Sequence, residues 1–364
     1  MIPSDLPASI FRKEVLALSA YKVADAAGMI KLDAMENPYG WPLDIQSSWL
    51  DTLKDCPLNR YPDPEGRQLV RALRELEAIP EQFEVLLGNG SDEIIQMLLM
   101  ALPPTASVLA PAPGFVMYKQ LSDSLGLRYH AVPLLAEGFG LDLPAMLAVI
   151  VEHQPSVIFI AYPNNPTGNL FSGEAIDGII KTANGLVVID EAYAPFANAS
   201  FMGRLAEYDN LLVMRTVSKL GLAGLRLGYL VGKPEWIGEL NKIRLPYNIN
   251  SLTQLTADFA LRHKALFDSQ TQRICAEREA LLAGLNAMDG LVAYPSAANF
   301  ILFRTKPGQA DAIFTSLKAQ GVLIKNLNPQ GGLLADCLRV TVGTPEENAA
   351  FLQAMGNSLI LSQC

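Results

Sequence analysis

A lysine and an arginine stand in the apolar, glycine-punctuated segment TVSKLGLAGLRLGY, residues 216–229. A charge inside a protein core is costly unless a partner neutralises it. Lys219 and Arg226 therefore either solve a local packing problem or hold a charged guest. Two hydroxyls, Thr216 and Ser218, precede the lysine and would lie at the same place.

Further polar residues follow other apolar runs. Asp190 ends the run GLVVID, where an acid is expected to be semi-buried and to need a cation, unless it caps a helix. Tyr193 lies three residues further on and could reach the same place. Asn165 lies in NNPTG after SVIFIAYP, and this turn could present amide donors at the mouth of a buried strand.

A possible anion site follows EVLLG, where NGSDEIIQ predicts a glycine-rich turn that opens a helix. Unpaired N–H groups at a helix start bind anions. The same residues also have a plain structural interpretation, in which Ser91 caps the helix and Asp92 and Glu93 suit its dipole.

Together these residues suit pyridoxal phosphate. Lys219 could form a Schiff base with the aldehyde, and desolvation would favour this by lowering its pKa. Asp190 could lie against the pyridine nitrogen and keep it protonated, so that the ring accepts electrons. The phosphate could be neutralised by Arg226, the two hydroxyls and the N–H groups near Ser91.

The elements that would position these residues alternate between strand and helix. From Glu84 to Gly232, seven segments are predicted as strands: EVLLG, SVLAPAP, RYHAVPL, SVIFIAYP, GLVVIDEAY, LLVMRTVS and RLGYLVG. Several are almost continuously apolar, as strands covered on both faces must be. This pattern predicts a doubly wound α/β domain with a seven-stranded, mostly parallel sheet, and ligands bind outside the carboxyl ends of such strands.

The pattern changes near Leu245, and residues 252–286 form a long, charged helical stretch. Three strand-like segments and two helices follow, which predicts a smaller α+β domain. We expect an N-terminal arm over residues 1–40 that joins the small domain, a large domain over 41–250 and a small domain over 251–364.

The composition excludes some classes of partner. The 364 residues include 28 basic and 37 acidic side chains, for a net charge of −9 with no basic run, which disfavours nucleic acids and anionic membrane surfaces. The four cysteines have no paired spacing, and the three histidines fall in no motif, so we expect no metal site. Without a signal peptide or an unbroken apolar span, the chain is expected to be soluble and cytoplasmic.

The motifs at 91–93 (SDE), 164–168 (NNPTG), 190–193 (DEAY) and 218–228 (SKLGLAGLRLG) resemble those of fold-type-I aminotransferases. LDAMENPYG from residue 32, RYPDP at 60–64, PGFVMY at 113–118 and CLRVTVGTPEEN at 337–348 closely resemble histidinol-phosphate aminotransferases. The resemblance covers essentially the whole chain. It implies the three-layer architecture of fold-type-I pyridoxal-phosphate transferases.

The resemblance also implies a role for individual residues. Lys219 would carry the cofactor and move the proton between Cα of the substrate and C4′ of the cofactor, and Asp190 would pair with the ring nitrogen. Further residues would contact the cofactor or the substrate: Asn165 and Tyr193 at the ring oxygen, Tyr118 stacked on the ring, Ser91, Asp92, Thr216, Ser218 and Arg226 around the phosphate, and Tyr21, Asn37 and Arg339 at the substrate. Tyr61 would reach the phosphate of the neighbouring subunit, which implies a homodimer with shared sites.

Some of these residues have plainer interpretations. Tyr118 and Tyr21 could be core aromatics, and Arg339 could merely pair with an acid such as Asp336. Lys325, in LIKN, stands where some family members have arginine. Lysine can contact a phosphate there, but only as a point charge without bidentate geometry.

The predicted reaction is ping-pong conversion of L-histidinol phosphate and 2-oxoglutarate to imidazole acetol phosphate and L-glutamate, in histidine biosynthesis. Three alternatives remain open: an aromatic amino acid aminotransferase, a threonine-phosphate decarboxylase and a cofactor-binding regulator without turnover. The absence of an appended DNA-binding segment disfavours the regulator.

Overall fold

The computed structural model describes residues 6–20 and 23–361. Its helices are α1 (Leu6–Ile10), α2 (Lys13–Leu16), α3 (Leu43–Leu53), α4 (Arg67–Glu77), α5 (Ser91–Met100), α6 (Val116–Leu125), α7 (Leu143–His153), α8 (Gly173–Thr182), α9 (Pro234–Asn241), α10 (Ser251–Arg262), α11 (Lys264–Asn286), α12 (Ala310–Ala319) and α13 (Pro345–Leu361). Its strands are β1 (Ile30–Lys31), β2 (Glu84–Gly88), β3 (Ser107–Ala112), β4 (Arg128–Pro133), β5 (Val157–Ala161), β6 (Leu186–Asp190), β7 (Leu211–Thr216), β8 (Gly228–Gly232), β9 (Val292–Ala293), β10 (Phe300–Arg304), β11 (Val322–Leu323), β12 (Lys325–Asn326) and β13 (Cys337–Thr341).

The seven predicted strands are confirmed and form one sheet in the order β2-β8-β7-β6-β5-β3-β4. Strand β8 is antiparallel to both of its neighbours, β2 and β7. The other neighbouring strands are parallel. The expected doubly wound, mostly parallel sheet is therefore present.

Helices cover both faces of this sheet, which gives the expected three layers. Along β5, Ile158 and Ile160 pack into one apolar cluster, whose members include residues of α4, α7 and α8. Val157 and Phe159 alternate with them and pack into a second cluster with residues of α5, α6 and α9. Because successive side chains of a strand point to opposite faces, a continuously apolar strand serves two cores at once.

A smaller antiparallel sheet follows, with the strand order β12-β13-β10-β9. It packs against α11, α12 and α13 around a separate apolar cluster that includes Ile274, Phe303 and Phe351. Strand β1 pairs in parallel with β11, so the segment at Ile30 belongs with this part of the chain. The division at residues 40 and 250 stays a prediction.

The helical stretch predicted over residues 252–286 consists of two helices, α10 and α11, which are separated at His263. Asn250 caps α10 by accepting a hydrogen bond from the Thr253 N–H at 2.9 Å. Helix α11 links the two cores, since Phe267 packs into the cluster of the large sheet and Ile274 into that of the small sheet. Within residues 6–20 and 23–361, no helix is long and apolar enough to cross a bilayer.

Candidate active site

A cavity of about 380 Å³ lies at the carboxyl ends of β5, β6 and β7, beside the start of α5. The strand register explains this grouping, because Ala161 lies opposite Asp190 and Asp190 opposite Met214. The predicted residues that line this cavity are Ser91, Asp92, Asn165, Asp190, Tyr193, Thr216, Ser218, Lys219 and Arg226.

Lys219 lies in a single turn of 3-10 helix, Ser218–Leu220, directly after β7. Its Nζ donates to the backbone oxygen of Ala34 at 3.3 Å and lies 5.8 Å from the centre of the Tyr193 ring. Burial lowers the pKa of Lys219 to about 8, and the positive charge of Arg339 contributes in the same direction. A larger fraction of this amine is therefore neutral near pH 7 than in an ordinary lysine, as a nucleophile or base requires.

Asp190 ends β6 and is only 4% exposed. The Tyr118 hydroxyl donates to its Oδ2 at 2.6 Å, and the Ala192 N–H donates to its Oδ1 at 3.1 Å. Burial raises the pKa of Asp190 to about 6, although both hydrogen bonds act to lower it. The side chain is thus a buried carboxylate above pH 6, and it lines the cavity.

The start of α5 and Arg226 form a positively polarised end of the cavity. Gly90 is the N-cap residue of α5, so Ser91 is not the cap but the first helical residue. The Arg226 guanidinium lies 3.4 Å from the Asp92 carboxylate. Gly90 has a φ of +84°, and a Cβ atom there would lie 2.7 Å from Arg226 Nη2. Glycine is required here because any larger residue would be strained and would crowd the guanidinium.

The two hydroxyls at this end are held by the backbone turn after β7. The Thr216 hydroxyl donates to the Leu227 backbone oxygen at 2.9 Å. It also accepts from the Ser218 N–H at 3.1 Å and lies 2.9 Å from Ser218 Oγ. Both residues are buried, and both line the cavity. The end of the cavity beside Arg226 therefore combines hydroxyls, a guanidinium and a helix start, which is a set of groups suited to a phosphate.

Asn165 connects the two parts of the fold. Its Nδ2 donates to the Tyr193 hydroxyl at 3.1 Å, and its Oδ1 accepts from Arg339 Nη1 at 2.5 Å. Arg339 also donates to the Asp33 backbone oxygen at 3.1 Å. Arg339 does not line the cavity itself but reaches it through Asn165. Burial raises the pKa of Tyr193, so its hydroxyl remains protonated and available as a donor.

Tyr118 is not where the resemblance implied. The side chain lies behind Asp190, is 1% exposed and stacks on Phe159 with ring centres 4.6 Å apart. Phe115, three residues earlier, lines the cavity instead and meets the Tyr118 ring edge-on. The aromatic face of the cavity is therefore supplied by Phe115. Because Tyr118 does not line the cavity, the geometry favours Phe115 as the stacking residue, and the stacking role of Tyr118 stays a prediction.

Four other predicted residues lie away from the cavity or outside the described part. Asn37 donates to the Leu220 backbone oxygen at 3.1 Å and to Gln270 at 2.9 Å, and so braces the segment after Lys219 rather than lining the cavity. Lys325, on β12, lies opposite Arg339 in the sheet register. Tyr61 is 80% exposed. Tyr21 lies outside the described residues.

Some cavity residues were not singled out from the sequence. Ala34, Met35 and Glu36 bring the N-terminal segment over the cavity, and Phe115 forms its aromatic wall. Phe115 lies in the motif PGFVMY, and the three N-terminal residues lie in the motif LDAMENPYG. No residue type in those motifs marks which side chain faces the cavity.

The fold and this cavity define a class of protein. Residues 27–355 match the model of the family "aminotransferase class I and II", and the chain belongs to that family. Its substrates are accordingly small molecules.

Within the family, the chain is similar to histidinol-phosphate aminotransferases. It is 59% identical to "Histidinol-phosphate aminotransferase 2" of Nitrosococcus oceani, over 96% of this chain and 98% of that protein. It is 52% identical to the protein of the same name from Cupriavidus pinatubonensis, over 96% of each. The fold also matches a crystal structure of histidinol-phosphate aminotransferase from Sinorhizobium meliloti in complex with pyridoxal-5'-phosphate, with a TM-score of 0.86, 22% identity and coverage of 97% and 98% of the two chains.

Proposed function

We propose that this chain is a pyridoxal-phosphate-dependent histidinol-phosphate aminotransferase. It would convert L-histidinol phosphate and 2-oxoglutarate to imidazole acetol phosphate and L-glutamate, a step of histidine biosynthesis. The observation that carries the proposal is the shared cavity of Lys219, Asp190 and Arg226. These residues are an amine of lowered pKa, a buried carboxylate and a guanidinium beside a helix start.

The residues present fit pyridoxal phosphate. The buried Asp190 carboxylate calls for a positively charged partner, which a protonated pyridine nitrogen would be. Arg226, the N–H groups at Ser91 and Asp92, and the hydroxyls of Thr216 and Ser218 make a donor set for a phosphate dianion. Gly90 keeps the space beside the guanidinium open. A cavity of about 380 Å³ is also within the usual range for a small-molecule site.

When bound, pyridoxal phosphate supplies an aldehyde that reacts with amines and a ring that accepts electrons. Lys219 would hold the cofactor covalently and, once free, would take the proton from Cα of the amino donor with its Nζ. A pKa of about 8 suits this proton transfer, because an amine whose pKa is close to the ambient pH can both accept a proton and return it.

The other residues would orient and neutralise the bound molecules. Asp190 would keep the ring nitrogen protonated, and Phe115 would cover one face of the ring. Asn165 and Tyr193, already hydrogen-bonded to each other, would donate to the ring oxygen. Arg226 would neutralise the phosphate, a role that bidentate guanidinium geometry favours.

Arg339 would bind the anionic groups of both substrates in turn. It can serve the carboxylate of glutamate and the phosphate of histidinol phosphate, because a guanidinium pairs with either in the same fork geometry. Asn37, Tyr21 and Lys325 remain proposed substrate residues. Lys325 is the neighbour of Arg339 across the β12–β13 pair, which supports a second positive charge on the substrate side.

We also propose a homodimer in which Tyr61 completes the neighbouring site. Tyr61 stacks on Tyr247 with ring centres 4.4 Å apart, yet 80% of Tyr61 remains exposed. Leu58 and Leu245, close to these tyrosines in sequence, are 72% and 70% exposed. Exposed apolar side chains of this size are typical of surfaces covered by another protein, here a second copy of the chain.

A substrate panel tests the proposed reaction. Purified protein loaded with pyridoxal phosphate is given histidinol phosphate, phenylalanine or threonine phosphate with 2-oxoglutarate, and glutamate and CO2 are followed. We expect kcat/KM to be highest for histidinol phosphate, since this ratio measures discrimination between substrates. A higher value for phenylalanine would support the aromatic aminotransferase, and CO2 from threonine phosphate the decarboxylase. Absence of amino transfer by fully loaded protein would refute the proposal.

A further inference from the structure

Tyr118 is a buried tyrosine that does not line the cavity, so stacking on the cofactor does not explain its position. It lies on α6, and its ring is fixed between Phe159 on β5 and the edge of Phe115. This packing leaves the hydroxyl pointing at a single acceptor, Oδ2 of Asp190, at 2.6 Å. The residue therefore contacts the cavity only through the carboxylate that lines it.

The hydrogen bond has a fixed direction. Burial raises the pKa of Tyr118 well above its ordinary value, so the hydroxyl stays protonated and is the donor of this hydrogen bond. Asp190 accepts this bond on Oδ2 and the Ala192 N–H on Oδ1, so one donor holds each oxygen. Donation to the charged form of a carboxylate favours that form, against the desolvation that favours the neutral acid.

We infer that Tyr118 is a positioning residue that acts through Asp190, holding the carboxylate ionised and oriented so that the proton of the pair stays on the cofactor's ring nitrogen. The inference rests on the proposed function, because it needs pyridoxal phosphate as the partner of Asp190. Without the tyrosine hydroxyl, one oxygen of a desolvated carboxylate loses its donor. The proton would then move from the ring nitrogen toward Asp190, because a neutral pair is less costly in a dry site.

The test compares Tyr118→Phe with the control Tyr229→Phe in holoenzyme. Tyr229 is also a buried tyrosine of this domain, and its hydroxyl donates to a carboxylate, Glu77, at 2.8 Å. Both variants lose one hydroxyl from a tyrosine–carboxylate bond, but only one of those carboxylates lines the cavity. The measurements are the ¹⁵N chemical shift of ring-labelled pyridoxal phosphate bound to each protein, which reports protonation of the ring nitrogen, and the cofactor dissociation constant.

We expect the ¹⁵N signal of Tyr118→Phe to shift toward the unprotonated position and its cofactor dissociation constant to rise about tenfold, as for loss of a hydrogen bond to a charged group. Tyr229→Phe should match wild type in both. In an Asp190→Asn background, Tyr118→Phe should have no further effect on the ¹⁵N signal. Tyr118 is also replaced by 3-fluorotyrosine, which is a stronger hydrogen-bond donor of nearly the same size and should shift the ¹⁵N signal in the opposite direction. This second variant tests the inference even if Tyr118→Phe does not fold.

Two results separate the inference from the proposed function. If wild type binds the cofactor and turns over histidinol phosphate, but Tyr118→Phe and the fluorotyrosine protein both keep the wild-type ¹⁵N signal, the inference is overturned and the function stands. If wild type binds no pyridoxal phosphate, both are overturned.

Discussion

Lys219 is expected to destabilise the protein when no cofactor is bound, and Lys219→Met should remove that cost. Burial lowers the pKa of Lys219 from its ordinary 10.5 to about 8. This pKa difference means that folding disfavours the charged lysine by about 3 kcal/mol. The value is an upper bound, because the side chain is partly exposed to solvent. Methionine has a similar length and no charge. We therefore expect cofactor-free Lys219→Met to unfold with a free energy higher by about 1–3 kcal/mol at pH 7.

The gain should disappear at alkaline pH, which distinguishes it from a packing effect. Between pH 8 and 10.5 the unfolded chain binds more protons at Lys219 than the folded chain does, so the stability of wild type rises with pH. At pH 10 the folded lysine is almost entirely neutral, and the remaining cost is less than about 1 kcal/mol. Urea unfolding of both cofactor-free proteins at pH 7 and pH 10, at one protein concentration, measures the difference.

A matched control is Lys242→Met, because Lys242 is an exposed lysine paired with Glu239 at 2.6 Å. Its substitution should change the free energy of unfolding by no more than about 0.5 kcal/mol at either pH. The reasoning is refuted if cofactor-free Lys219→Met is no more stable than wild type at pH 7, or if its advantage is the same at pH 10.

Three further predictions concern binding and assembly. Arg226→Ala should weaken pyridoxal phosphate binding about 10- to 100-fold in a fluorescence titration, as loss of charge-assisted hydrogen bonds does; an unchanged dissociation constant would place the phosphate elsewhere. Tyr61→Ala should lower activity, and mixing it in equal amount with inactive Lys219→Ala and reassembling the dimers should raise activity toward about a quarter of wild type, since half of the dimers then carry one intact shared site; no gain on mixing would mean that sites are not shared. Arg339→Ala should raise KM for both glutamate and histidinol phosphate, and a change for only one would contradict its proposed dual use.

The strands and the polar ends of the strands were predictable because both depend on local sequence. A continuously apolar segment such as β5 must be covered on both faces, and a polar residue after it must lie at the sheet edge. Asp190 and Lys219 follow parallel neighbouring strands, so the chain has no way to form this sheet without bringing them to one edge. The break at His263 was not predicted, because the helical pattern continues on both sides of it.

The aromatic wall of the cavity could not be predicted from its motif. Phe115 is the N-cap residue of α6, and Tyr118 follows three residues later in the first turn of that helix. Which ring meets the cavity depends on where α6 begins and how closely it packs against Phe159. The motif PGFVMY contains both rings and does not distinguish them.

The sequence by itself determined the layered fold, the amine and carboxylate at one sheet edge, and the helix start beside them. These follow from apolar periodicity and from strand direction, which neighbouring residues encode. Only the tertiary structure decided that Tyr118 supports Asp190 from behind, and that Arg339 meets Asn165, 174 positions away in the chain. The reason is that such contacts depend on how separately formed layers pack together, and close packing selects one side chain for each space.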